Sequence, residues 1–256
     1  MPTSPAIHAS LLYGFLLVLA RMSGIFIFLP LPGFKAGPDA AKIVLAGALT
    51  LALFSRWPTL DPASTMVQLA GWMIVEAAIG LATGLAVAFL IEGILMGAQA
   101  ISTQAGFSYA STVDPNTEAD STVLIMIAQL AAGLMFFGMG LDRQLLSALS
   151  RSLEVHPPGT FAMSRSAVEA LVALGSGVFV TGIRLALPLM TLLFLIDLSV
   201  GLLGRINSQL QLVALAFPAK MLAAMAGLSV LVLLIPKIFQ QSANSAFAVL
   251  NKLLGL

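Results

Sequence analysis

The stretch from residue 69 to 100, LAGWMIVEAAIGLATGLAVAFLIEGILMGAQA, decides the fold. Its only charges are Glu76 and Glu92, and it contains no proline. About 20 mostly apolar residues cross a bilayer as a helix. This run is too long for one straight crossing. It predicts a tilted helix, a helix that continues into protein surroundings, or a broken pair. Within it Glu76, Gly80, Gly84, Ala88 and Glu92 recur every four residues, and Gly93 and Gly97 repeat the spacing. Small residues at that interval let helix backbones approach closely. The two glutamates are 16 residues apart, which at about 100° per residue sets them on opposing faces of one helix. They do not form a carboxylate pair for acid–base work.

Five further apolar segments flank this one: Leu11 to Leu29, Ile43 to Phe54, Val123 to Leu141, Ala167 to Leu203 and Leu210 to Ile235. The second is short for a span, and the fourth, like 69–100, is too long for one straight crossing. Pro188 removes an amide donor and sets its ring against the carbonyl of Arg184, and Pro218 does the same to Ala214. Breaks are expected at both. Turns are marked by Pro30-Leu31-Pro32-Gly33, Gly37-Pro38 and His156-Pro157-Pro158-Gly159. With six spans, Arg56, Arg143, Arg151, Arg165, Lys237 and Lys252 fall on one side and Lys35, Lys42 and Arg205 on the other, which places both termini in the cytoplasm. The N-terminal MPTSPAIHAS has no Lys or Arg, and the first apolar run is read as a retained helix rather than a cleaved signal.

Composition agrees with a membrane setting. Of 256 residues, 59% are hydrophobic and 9% charged, against about 25% charged in an ordinary soluble domain. Lipid or an apolar complex must cover such a surface. The expected fold is an all-α membrane protein of long, partly broken helices, with residues 1–256 forming a single membrane domain. A net charge of +1 supplies no basic field for nucleic acid. The chain has no cysteine, which excludes thiol catalysis, disulfides and cysteine metal sites. Its two histidines, His8 and His156, have no Glu or His at metal-ligand spacing, and no glycine-rich phosphate loop follows a strand. Neither a catalytic set nor a cofactor or metal is expected.

Ionisable residues inside the apolar segments are candidate functional sites: Arg21, Glu76, Glu92, Arg184, Asp197 and Lys220. An ion-coupled secondary transporter would use such groups, and broken helices would suit it, although no related halves are visible. The favoured reading is pairing between helices or subunits, with Gly80 and Gly84 as close-packing positions. Met126, Met135 and Met139 are either a flexible seal or core filler. The longest distinctive loop, Phe107 to Thr122, holds Asp114, Glu118 and Asp120 and no Lys or Arg, with a turn at Asp114-Pro115-Asn116.

Two strings carry a family resemblance. Gln104 to Pro115, QAGFSYASTVDP, resembles the Q-x-G-x-S-[FY]-A-x-x-x-D-P signature of the FliR/SctT family of flagellar and virulence type III secretion. Leu198 to Pro218, LSVGLLGRINSQLQLVALAFP, is similar to its second signature through Gly201, Leu202, Leu203, Arg205, Phe217 and Pro218. Arg21 followed by Pro30, and Leu185 to Thr191, match as well. The chain departs at Ser208 to Leu212, where the family has Pro then Asn-Val-Phe, and at Pro157-Pro158-Gly159, where it has Pro-Leu-Gly. Ser152 to Gly159 is closer to the flagellar branch than to the virulence branch.

The resemblance implies a core subunit packed with FliP and FliQ homologues, and an FlhB homologue, in a helical export-gate assembly. That assembly surrounds a pore in the bacterial inner membrane at the flagellar basal body, through which unfolded substrates pass. It implies that residues 106–122 lie in the pore as a plug. Gly106 and Pro115 would bracket a tight stretch that includes Ser108, Phe107 and Tyr109 would supply bulk, and Asp114, Glu118 and Asp120 would face water. It further implies that Glu92, Arg184, Asp197, Arg205 and Lys220 pair across helices or subunits, and that lipid contacts only part of the surface.

Overall fold

A computed structural model describes residues 5–29, 39–58, 65–107, 123–160, 164–206 and 212–256. Among them are seven α-helices and no strand: α1 (Pro5–Phe28), α2 (Asp39–Ala52), α3 (Met66–Ala105), α4 (Val123–Gly138), α5 (Leu141–Val155), α6 (Arg165–Ile206) and α7 (Leu212–Leu254). A 3₁₀ turn, Phe54–Arg56, follows α2. The chain is an all-α membrane protein.

Three helices are very long. α3, α6 and α7 have 40, 42 and 43 residues. At 1.5 Å per residue each has a contour of roughly 60 Å, about twice the hydrocarbon thickness of a bilayer. The expected breaks at Pro188 and Pro218 do not occur. Both prolines, and Pro236 too, lie inside continuous helices. A proline removes one hydrogen bond of a ladder, and at Pro188 the buried Leu185, Ala186, Leu189 and Leu193 hold the helix on either side of that loss. The last helix also runs past Ile235 to Leu254. The sharp bend lies elsewhere: α4 and α5 meet at 60°, where Gly140 takes a left-handed backbone, φ 67°.

The assumption of six spans is not met. Among the described residues four helices are long and apolar enough to cross a membrane, five if the bent pair counts as one span, and Ala40–Ala52 is too short. The side-by-side charge count built on six spans therefore loses its basis.

The chain forms two compact units. The first comprises residues 1–89, 136–175 and 243–256. Here α1 and the first half of α3 run parallel, since Gly80 lies against Arg21 and Gly84 against Ile25. α5 is amphipathic: Leu141, Leu145, Leu149 and Leu153 are buried at a four-residue interval, while Arg143, Gln144, Arg151 and Glu154 are exposed. The end of α7 buries Ala243, Ala246, Leu250 and Leu253, of which Leu253 packs with Ala82, Ala86 and Ala167.

The second unit comprises residues 90–135 and 176–242. The later part of α3 runs parallel to α6, because Gly93 meets Thr181 and Gly97 meets Leu185. α7 runs antiparallel to α6: Leu189 lies against Gly227 and Asp197 against Lys220. Its core joins Ile101, Ala105, Ala186, Leu189, Leu193, Ala224 and Leu231.

Candidate functional site

The loop expected to act as a plug begins at the end of α3, and its stem is well defined. The Gly106 N–H donates to the Thr103 carbonyl (3.2 Å) and the Phe107 N–H to the Ser102 carbonyl (3.0 Å). Gly106 has φ 85°. This is a Schellman cap, in which a left-handed glycine closes the helix and the next residue packs back on its last turn. Phe107, half-buried, does so against the cluster that contains Ile101 and Leu189. Leu124, at the start of α4, packs on the same cluster. Both ends of the loop are thus fastened to one apolar core. Ser108, Tyr109, Asp114, Pro115, Glu118 and Asp120 lie outside the described residues.

A polar node ties this stem to two other helices. Asp197 on α6 accepts a hydrogen bond from Gln104 Nε2 (3.1 Å) and one from Lys220 Nζ (2.9 Å), both at Oδ2. Gln104 is two residues before the capping glycine. The Lys220 side chain is 15% exposed and that of Asp197 39%. Sequence reasoning named Asp197 and Lys220 without pairing them, and read Gln104 only as a motif letter.

The first unit contains a second, drier network. Arg21 Nε donates to Glu76 Oε2 at 2.5 Å, with side chains 1% and 0% exposed. Arg21 Nη1 donates to Ser152 Oγ (3.1 Å) and Nη2 to the His156 carbonyl (3.4 Å). The other Glu76 oxygen, Oε1, accepts the Gly159 N–H (3.0 Å). The pair therefore clamps the His156-Pro157-Pro158-Gly159 turn as well as joining α1 to α3. Close approach makes this geometry available. A Cβ on Gly80 would collide with the Arg21 carbonyl oxygen, and one on Gly24 would sit 2.6 Å from the Ala77 carbonyl oxygen. Gly84 meets the Ile25 backbone in the same way. Gly24 and Ser152 were not singled out by sequence; a glycine three residues after the intramembrane Arg21 was the available signal for the first.

The remaining candidates stand apart. Glu92, Arg184 and Arg205 are exposed and none has an ion pair among the described residues. Met126 is exposed, with Met135 and Met139 half-buried. Among the described residues no three acidic or histidine side chains come together as a metal site. What the geometry offers is mechanical: a loop fastened at both ends to a rigid core, and long apolar helices with isolated charges on their surfaces.

Comparison with known proteins agrees with this picture. Residues 12–246 match the family described as bacterial export proteins, family 1. The flagellar biosynthetic protein FliR of Escherichia coli (strain K12) is 31% identical over 222 residues, covering 86% of this chain and 83% of that protein. The proteins of the same name from Caulobacter vibrioides and Bacillus subtilis are 28% and 27% identical, covering 85% and 80% of this chain and 86% and 81% of their own lengths. With nearly its whole length matched, the chain belongs to family 1 of the bacterial export proteins, the FliR/SctT family.

Proposed function

We propose that this chain is the FliR-type subunit of a flagellar type III export gate, acting as one membrane domain in the bacterial inner membrane at the flagellar basal body. It assembles with FliP and FliQ homologues, and with an FlhB homologue, around a conduit for unfolded polypeptides. Residues 106–122 lie in that conduit as a plug. The chain performs no catalysis; it shapes and closes a path. The names of its relatives favour the flagellar over the virulence system.

The observation that carries this reading is the mismatch between helix length and bilayer. Three helices have contours of about twice the hydrocarbon thickness, yet apolar side chains are exposed along much of them. Met66, Val67 and Ile74 on α3, Phe179, Leu187 and Leu202 on α6, and Leu222 and Leu233 on α7 are all more than half exposed. A bilayer covers only part of such a surface, so other proteins cover the rest. Glu92, Arg184 and Arg205 on the same helices then meet polar groups of partners or of the conduit rather than acyl chains. The loop stem supports the plug: a Schellman cap and a shared core fix where the loop leaves and returns.

The test is to delete Thr112–Asp120 and measure ion conductance of membranes that carry the assembled complex. The reading predicts normal assembly with a raised leak. Intact assembly with unchanged conductance contradicts the plug.

A further inference from the structure

Within the second unit, several exposed hydroxyls are satisfied by their own helix. Thr191, Ser199 and Ser229 donate to the carbonyls of Leu187, Leu195 and Ala226. A hydroxyl bonded in this way sits against lipid without an unmet hydrogen bond. One face of α3 gathers three exposed polar side chains in a line. On α3, Glu92, Gln99 and Thr103 are exposed, and the spacings of seven and four residues place all three within about 40° of one another. Thr103 is satisfied by the Gln99 carbonyl (3.0 Å). The Glu92 carboxylate and the Gln99 carboxamide have no side-chain partner among the described residues.

A carboxylate and a carboxamide facing hydrocarbon without partners are costly, so this face meets water or polar matter. The line ends at Thr103, three residues before the Gly106 cap, and so runs into the stem of the loop. Beside it lies an open apolar groove of about 340 Å³. It is lined by Met96 and Ala100 of α3 and by Ile183, Ala186 and Leu187 of α6.

We propose that this face of α3, with its groove, is a stretch of the conduit wall touched by extended polypeptide in transit. The inference rests on the export-gate reading above. The chemistry fits a chain of any sequence. A glutamine side chain offers a donor and an acceptor, as every peptide unit does, so Gln99 pairs with backbone whatever the side chains are. Glu92 accepts further N–H groups. Met96 and the small Ala100 leave room for apolar side chains, and methionine adapts to varied shapes. A polar edge beside a shallow apolar strip holds a passing chain weakly, as transit requires.

The absence of cysteine from the chain provides the test. Gln99→Cys, Glu92→Cys and, as a control on the apolar surface of α7, Val230→Cys are introduced singly. Membranes carrying the complex are treated with a membrane-impermeant trimethylammonium methanethiosulfonate, whose sulfenyl sulfur is attacked by water-exposed thiolates to give a mixed disulfide with release of methanesulfinate. The proposal predicts labelling roughly tenfold or more faster at 92 and 99 than at 230. It also predicts that labelling at 99 is suppressed when an export substrate is stalled in the conduit by a folded domain. Unreactive thiols at 92 and 99 in an assembled complex overturn it, as does labelling at 99 indifferent to the stalled substrate. Cross-linking of residue 99 to a partner helix also overturns it and makes the face a subunit interface. If the unsubstituted chain enters no complex, the export-gate reading fails first, which the mass of the solubilised particle reports separately.

Discussion

Arg21 on α1 and Glu76 on α3 form an ion pair sealed from solvent, 55 residues apart in sequence, that also fixes the turn before α6. Removing one partner of such a pair leaves an uncompensated buried charge, at a cost of about 3–5 kcal/mol. Arg21→Met or Glu76→Leu alone is expected to lower the amount of protein in the membrane and the melting temperature of the purified complex sharply. The double substitution is expected to recover most of the loss, since an apolar pair of similar volume is often tolerated. A double-mutant cycle on thermal stability checks this; a double variant as damaged as the sum of the singles contradicts it.

Gly80 tests the backbone approach that makes the pair possible. A Cβ there meets the Arg21 carbonyl oxygen, whereas one at Gly71 on the same helix meets nothing within 4 Å. Gly80→Ala should cost about 1–3 kcal/mol through forced separation of α1 and α3. Gly71→Ala should be neutral or stabilising by up to about 1 kcal/mol, from helix propensity. Detergent melting curves of the two variants distinguish them, and equal effects would rule out the close-approach account.

At Gly140 the strain is local. Its φ of 67° lies in the left-handed region, and the space around its hypothetical Cβ is empty. Gly140→Ala is therefore expected to cost about 1–2 kcal/mol from backbone conformation alone. Gly138→Ala, also in open space but with helical backbone, should do no harm. Relative melting temperatures decide the matter.

The node at Asp197 is more exposed, so its electrostatic worth is small, on the order of 1 kcal/mol after solvent screening. Its effect is expected in gating rather than folding. Asp197→Ala loosens the loop stem through Gln104 and should raise membrane leak while the complex still assembles. Asp197→Lys combined with Lys220→Asp should leak less than either single variant. Conductance of membranes with matched complex levels is the readout, and a silent Asp197→Ala would count against the node as an anchor.

Much of this was legible in the residues. The glycine spacing on α3 and the long apolar runs follow from composition and periodicity alone. Gly106 at the end of an apolar run, before Phe107, is a readable helix stop. α5 does not stand out as an apolar run, because its polar residues hide a four-residue repeat of Leu141, Leu145, Leu149 and Leu153. The breaks expected at Pro188 and Pro218 failed because a lost hydrogen bond is local, and the rest of each helix's ladder continues through it. Which partners Asp197, Glu76 and Arg21 take was not legible: no periodicity relates residues 21 and 76, or 104 and 197, on different helices.

The central claim is that sister proteins, as well as lipid, solvate these helices. Extraction of the chain from bacterial membranes in a gentle detergent, with mass measurement and identification of everything that travels with it, tests that claim most directly. The account predicts a particle several times the mass of the 256-residue chain that contains homologues of FliP and FliQ. A monodisperse, folded particle holding this chain alone would contradict it.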